Sequence, residues 1–535
     1  MSPWFVSKAL RRILIANRGE IAVRVIRACR ELGIPSVAIY SDADARAPHV
    51  FLADVAVRIG PASPAESYLS MSAILDAARE TDADAIHPGY GFLSENAKFA
   101  AACEHAGITF IGPPAAAIER LGSKIAARAI AREAGVPVVP GETPADQSTG
   151  AIAAAARRVG FPILLKPSAG GGGIGMKTIR DEQALTVGIE QARREATAAF
   201  GDGTLYVERL IERPRHVEIQ VLADNHENVL YLFERECSIQ RRHQKVAEET
   251  PSPVLTPALR RRMGEAAVAL ARAAGYRNAG TVEFLLEGTG DRASFYFLEV
   301  NTRLQVEHPV TERVTGVDLV HAQIAVAAGE PLRWAQESLT QRGHAIEVRV
   351  YAEDPANHDL PQAGPLLLYR EPSMPGIRID SGAYEGGEVS VHYDPLIAKL
   401  IADGETREIA RRRVIEALRN YPILGIRTNV SFLIEILEHP RFVSGDIDTR
   451  FLETEGKDLR TRSAGTPPAE ALEIASLLRS QSADLSRRPV RRSAGREGGS
   501  GGREVDAADL SRRIGDHEVR AAKADPWETL RGFRG

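Results

Sequence analysis

The chain has 535 residues, too many for one hydrophobic core, and typical domain sizes give roughly three or four domains. Hydrophobic residues make up 44% and charged residues 26%, an ordinary soluble globular composition. With 67 basic and 71 acidic residues and a formal net charge of -4, nothing favours nucleic acid or an anionic membrane as a partner. Cys29, Cys103 and Cys237 are far apart and form no metal-ligand spacing, as expected in a reducing cytoplasm. No apolar run reaches transmembrane length, and the stretch before the first strand is too short for a signal peptide.

In chain order, the continuous apolar run ILIA at 13–16 predicts a buried strand, NRGE turns the chain, and apolar residues at helical spacing predict a helix over 21–32 that Gly33 ends. A strand over 36–40 completes a β-α-β unit and implies a parallel sheet. No GxGxxG follows the first strand, so a dinucleotide site loses its main support. Further strands are expected at 85–88 and 108–111, and a helix over 124–134 is stopped by Gly135 and Pro137. Strands then recur at 161–166, 176–179, 205–208, 216–222, 229–233, 281–286 and 294–300, suggesting an α+β region to about residue 330. The region 344–453 is strand-rich first, then helical at 405–419 and 429–437. Beyond it, RRPVRR at 487–492 and GGSGG at 498–502 read as linker, and no aromatic residue interleaves with the arginines to stack a base. A short helix over 469–478 is expected to pack back on the body.

The segment EVNTRLQVE at 299–307 carries chemistry. Glu299, Asn301, Arg303, Gln305 and Glu307 alternate with small or apolar residues, so an extended chain would place two acids, two amides and a guanidinium on one face; whether the far end continues the strand or bends out of it is open at this point. A solvated strand face is the ordinary meaning of such alternation, but this combination suits metal ions, an anion and a base, the parts phosphoryl transfer needs. Glu283 lies alone among apolar neighbours, and with Glu299 and Asn301 it forms an all-oxygen set suited to Mg²⁺. KPSAGGGGIGM at 166–176, which includes Lys166, Gly172 and Gly173, is a glycine-rich loop between strands. Its backbone can approach phosphates, or it is a surface hairpin. Lys124, which opens a helix, alone reads as a surface lysine; Glu208-Arg209-Leu210-Ile211 alone reads as a strand end, but its apolar residues could sit on a purine ring. QRRHQK, with Gln240, His243 and Lys245, suits either an anion pocket or a basic surface loop. His216 reads as a structural histidine and Cys237 as a small buried residue.

Taken together, ILIANRGEIAVRVIRA, HPGYGFLSENAKFA, FIGP, KPSAGGGGIGM, RHVEIQVL, ERECSIQRRHQKVAEE, GTVEFL, LEVNTRLQVEHPVTE, GHAIEVRVYAEDP and YDPLIAKLI resemble the biotin carboxylase family of ATP-grasp enzymes, in family order from residue 12 to about 453. The resemblance implies an α/β and α+β multidomain fold. It has a Rossmann-like pre-ATP-grasp domain (8–118), an ATP-grasp domain (119–330) with a glycine-rich lid at about 140–210, a C-terminal biotin carboxylase domain (340–455) and a partly disordered tail (456–535). It implies ATP contacts by Lys124, Lys166, Gly172, Gly173, Glu208, Arg209, Leu210, Ile211, His216, Gln240 and His243, and Mg²⁺ (or Mn²⁺) ligation by Glu283, Glu299 and Asn301. Lys245, Arg303, Gln305 and Val306 match the bicarbonate pocket, Glu307 the general base, and Arg349 with Tyr90 and Asp394 the biotin side.

The implied reaction is ATP- and bicarbonate-dependent carboxylation of biotin in the cytoplasm, the first half-reaction of an acetyl-CoA or other acyl-CoA carboxylase. Its partners would be a biotin carboxyl carrier protein and a carboxyltransferase subunit, with the chain itself a homodimer. The chain lacks the Met-Lys-Met biotin-attachment motif, so biotin would be carried by a separate protein. Ile174 stands in the lid where the family commonly has Lys or Arg, which removes a charge near the phosphates and leaves open a non-catalytic or regulatory nucleotide-binding subunit. A carbamoyl-phosphate-type ligase is a second alternative, disfavoured by Arg349 and Asp394. The tail segment DPWETLRGF at 525–533 weakly resembles a stretch beyond the carboxylase portion of longer fused α subunits.

Overall fold

The computed structural model describes residues 10–168, 175–242 and 244–463. Gly172, Gly173, Ile174, His243 and the helix expected over 469–478 lie outside the described residues.

The N-terminal β-α-β reading holds. β1 (Ile13–Ile15), β2 (Ser36–Ser41), β3 (Val55–Gly60), β4 (Ala85–His87) and β5 (Thr109–Phe110) form a parallel sheet in the order β3-β2-β1-β4-β5, and α1 (Gly19–Glu31) connects β1 to β2. The central strand β1 is apolar throughout because both of its faces are covered: Ile13 and Ile15 enter one core and Leu14 another. A second, small unit holds β6 (Gly141–Glu142), β7 (Ile163–Pro167), β8 (Lys177–Ile179) and β9 (Leu205–Arg209) in the order β6-β9-β7-β8. Helices Thr149–Val159 and Leu185–Phe200 pack on it around Ile152, Ile163, Leu165, Ile189 and Val207, a core of its own.

The main body is one eight-stranded sheet. It runs β14 (Ser294–Asn301), β13 (Asn278–Glu287), β10 (Arg215–Ala223), β11 (Val229–Arg241), β12 (Gln244–Thr250), β15 (His344–Tyr351), then strands Leu396–Gly404 and Ile377–Ser381. All of its pairings are antiparallel, and β12 pairs with β15, so the sheet crosses without a break from the second sequence region into the third.

Side chains alternate across a strand with period two, and here both faces are buried for different reasons. Val217, Ile219, Val221, Val282, Phe284 and Leu286 face helices Pro257–Ala273 and Lys124–Glu133. Ile346, Val348, Val350, Ala398 and Leu400 face helices Arg407–Arg419 and Val430–Glu438. The intervening residues are polar: Glu218 pairs in register with Glu283, Glu283 with Glu299, Arg349 with Lys399, and Lys399 with Asp380.

The structure decides one open point and changes one expectation. The far end of 299–307 bends out of the strand, because β14 ends at Asn301 and Thr302 N donates to Glu95 Oε1 (2.9 Å) rather than to a neighbouring strand. Arg303, Gln305 and Val306 lie in the loop that follows, and Glu307 is the N-cap position of helix His308–Thr315. Residues 456–463, expected as the start of a linker, form helix Gly456–Ser463; Leu459 enters the core and Arg460 pairs with Asp359 at 2.6 Å.

The N-terminal and C-terminal parts meet at Gly382, where a Cβ would lie 2.5 Å from Gly19 C and 2.6 Å from Glu20 N. Gly382→Ala is expected to force the start of α1 away from the sheet and to lower stability by about 1–3 kcal/mol, read by chemical denaturation.

Candidate active site

A cavity of about 710 Å³ lies over the polar face of the large sheet and extends to the small four-stranded unit. Its lining includes Lys124, Lys166, Glu208, Arg209, Leu210, Ile211, His216, Gln240, Lys245, Glu283, Glu299, Asn301, Arg303, Gln305, Val306 and Arg349, side chains from separate parts of the chain.

At one end, Ser123 caps helix Lys124–Glu133 by accepting from Ala126 N, which presents Lys124 at the helix start. Lys166 Nζ donates to Glu208 Oε2 at 3.0 Å, and Arg128 binds the other carboxylate oxygen. Burial lowers the Lys166 pKa, and nearby Lys124 and Arg128 lower it further. A polyanion between these cations would reverse that effect. Arg209 is held by Glu287 at 2.8 Å and Tyr296 at 3.1 Å. Leu285 and Leu298 supply an apolar wall there that the sequence reading missed; the period-two spacing of Leu285 from Glu283 was its available signal.

At the centre, Glu283 and Glu299 are register partners on adjacent strands, and Asn301 Nδ2 donates to Glu283 Oε1 at 2.8 Å. Burial and the Glu283 charge push the Glu299 pKa up, against Lys124, His216 and Lys166. Two facing carboxylates and an amide are an all-oxygen donor set that a hard divalent cation fits. His216 Nε2 lies 3.0 Å from Glu283 Oε2, which raises the His216 pKa against the effect of burial.

At the other end, Lys245 Nζ contacts Glu218 (2.5 Å), Glu283 (2.9 Å) and Glu307 (2.6 Å). The second Glu307 oxygen accepts from Arg349 Nη2 at 2.9 Å, and Arg349 Nε donates to Glu248 at 2.7 Å. Burial opposes ionisation of Glu307, but Lys245, Arg349 and Arg235 hold its pKa well below the usual carboxylate range. Arg303 donates to Glu95 (2.9 Å), Gln305 (3.2 Å) and Asn301 (3.1 Å). Gln305 is buried, and among the described residues its Nε2 has no hydrogen-bond partner. A cavity with Lys245, Arg303 and this free amide donor is built to take a small anion.

Tyr90 and Asp394 stand apart from this lining. The Tyr90 ring lies 5.8 Å from the Lys399 ammonium, while Asp394 is exposed and accepts from Leu396 N at 2.9 Å. Sequence reading missed Glu95, Glu218, Arg235 and Glu248. Glu218 carried a signal, an acid between Val217 and Ile219; Arg235 sits between two acids in its strand, and Glu95 carried none, because only the fold brings its loop to Arg303.

Profiles of three families match the chain: "Biotin carboxylase, N-terminal domain" over residues 9–118, "Carbamoyl-phosphate synthase L chain, ATP binding domain" over 123–335, and "Biotin carboxylase C-terminal domain" over 347–454. The biotin carboxylase of Halalkalibacterium halodurans is 51% identical over 442 residues, 83% of this chain and 97% of that protein. The chain belongs to the biotin carboxylase family. The mitochondrial methylcrotonoyl-CoA carboxylase subunit alpha of Mus musculus is 49% identical over 84% of this chain, which spans 63% of that longer protein. Among solved structures, the biotin carboxylase domain dimer of Hydrogenobacter thermophilus 2-oxoglutarate carboxylase, in complex with MgADP, ADP and bicarbonate, aligns with a TM-score of 0.80 at 46% identity, covering 84% of this chain and 98% of that one. The Campylobacter jejuni biotin carboxylase complex with β,γ-ATP aligns with a TM-score of 0.80 at 42% identity, covering 83% and 99%. The architecture is that of the family: N-terminal, ATP-grasp and C-terminal parts with mixed α/β content.

Arg235 is fully buried and donates to Glu218 (2.5 Å), Gln220 (2.7 Å), Thr281 (2.9 Å) and Thr311 (3.0 Å). Arg235→Met leaves Glu218 without that countercharge and is expected to cost about 3–5 kcal/mol of stability, measured by urea unfolding.

Proposed function

We propose that the chain carboxylates biotin on a separate carrier protein, using ATP and bicarbonate and releasing ADP and phosphate. What carries this reading is a convergence on one cavity: the acid-amide set Glu283, Glu299 and Asn301 and the anion donors Lys245, Arg303 and Gln305 line it, and the ionised Glu307, itself fully buried, is hydrogen-bonded to two of its lining residues, Lys245 and Arg349.

In the proposed reaction, Lys124 and Lys166 hold the nucleotide phosphates, and Glu208 to Ile211 border the purine. Glu283, Glu299 and Asn301 would hold Mg²⁺ (or Mn²⁺), which would supply positive charge to offset that of the phosphates. Arg303, Lys245 and Gln305 orient bicarbonate toward the γ-phosphate. Glu307, ionised at neutral pH, accepts the bicarbonate proton, and the cations that depress its pKa also favour the extra negative charge that forms on the substrate. Arg349 stabilises negative charge on the biotin ureido oxygen, with Tyr90 and Asp394 on the biotin side. A homodimer in the cytoplasm belongs to the same reading. So does a carboxyltransferase subunit that selects the acyl acceptor, an acetyl-CoA or other acyl-CoA; relatives are named for methylcrotonoyl-CoA, propionyl-CoA and pyruvate carboxylases. The three cysteines are free and buried, which suits a reducing compartment, and no described helix is long and apolar enough to cross a membrane.

The test is ADP release from Mg-ATP with and without bicarbonate and free biotin. Release that requires bicarbonate and rises with biotin is expected, and Glu307→Gln should reduce it by about 10²- to 10⁴-fold with ADP affinity unchanged. Nucleotide binding without turnover, even with added biotinylated carrier, would instead support a nucleotide-binding subunit.

A further inference from the structure

Lys399 is fully buried on the polar face of the large sheet, between Arg349 and Asp380 in register. Its ammonium donates to the carbonyl of Val306 at 2.7 Å, lies 3.3 Å from Glu20 at the start of α1, 3.7 Å from Asp380, and 5.8 Å from the centre of the Tyr90 ring. Four parts of the chain, distant in sequence, therefore meet at one nitrogen.

The Val306 carbonyl is the informative contact. Val306 lies between Gln305, a cavity-lining residue whose amide donor is buried without a partner, and Glu307, whose carboxylate joins Lys245 to Arg349. Charge neutralisation of Glu20 and Asp380 would not require this bond, and Asp380 already has both oxygens on Arg378 (2.8 Å each). A charged donor to a buried carbonyl is among the stronger hydrogen bonds and restricts the peptide it holds. The peptide here lies in a loop, with no strand ladder to hold it after Asn301.

We propose that Lys399 is a positioning residue that holds the Gln305–Glu307 segment against the N-terminal part, so that the amide donor and the base address one bicarbonate. The proposal rests on the function proposed above; its experiment keeps the two separate. Wild-type ADP release is measured first. Then Lys399→Met is expected to lower bicarbonate-dependent turnover by about 10- to 100-fold and to raise the bicarbonate KM, while ADP affinity stays within about twofold of wild type. Amide hydrogen exchange should accelerate at residues 304–308 more than in the rest of the sheet. Lys399→Arg, which keeps the charge but not the ammonium geometry, should recover turnover to within about fivefold with the bicarbonate KM still raised.

Wild-type kinetics and exchange in Lys399→Met would overturn the proposal, and so would a loss of ADP affinity parallel to the loss of turnover, which marks a general structural role. If Lys399→Met does not fold, Lys399→Arg decides: a raised bicarbonate KM at unchanged ADP affinity supports positioning, and wild-type values for both refute it. If the wild-type protein shows no bicarbonate-dependent turnover, the function reading fails by itself. The exchange at 304–308 in the two variants then still decides whether Lys399 holds the loop.

Discussion

One buried, charged face of an eight-stranded sheet organises this molecule. Burying ionised groups is costly unless each has partners of opposite charge or hydrogen-bond donors. Here the strands supply them in rows: Glu218 beside Arg235, Lys245 among three carboxylates, Arg349 between Glu248 and Glu307, Lys399 beside Glu20 and Asp380. The apolar face and its helices provide the stability that lets such a face exist. The small four-stranded unit then closes one end of the cavity above it.

The charges are unevenly distributed, and the imbalance matches the proposed chemistry. Against burial, Lys245 and His216 hold Glu283 ionised, while burial and the Glu283 charge push the facing Glu299 carboxyl up, a strain that a divalent cation would relieve. Around Lys124 and Lys166 positive charge is crowded by burial, as phosphates require. Glu307 stands where the two regimes meet, ionised because of Lys245, Arg349 and Arg235. A single carboxylate so held cannot be a strong base in isolation. It becomes useful where its substrate is an anion placed against the same cations, since they also lower the cost of removing the substrate's proton.

Sheet continuity also explains how parts remote in sequence can share this site. Sequence patterning divides the chain near residue 340, yet β12 and β15 pair directly, so Lys245 and Arg349 are set on one scaffold. The N-terminal part reaches the same place through Glu20, Glu95 and the close approach of Gly382 to Gly19.

Local patterns in the sequence determined the parallel N-terminal sheet, most strands of the body and the candidate residues at 283–307. Apolar runs, period-two alternation and isolated charges are properties of short segments and need no knowledge of the fold. The family resemblance added the proposed roles of Arg349, Tyr90 and Asp394, which no local pattern indicates. Tertiary structure decided what depends on distant partners. It ended β14 at Asn301 through Glu95, turned 456–463 into a packed helix through Leu459 and Arg460, and set Lys399 under Val306. Antiparallel pairing and buried ion pairs join residues up to hundreds of positions apart, and the free energy that selects those partners exists only once the surrounding surface has been excluded from water.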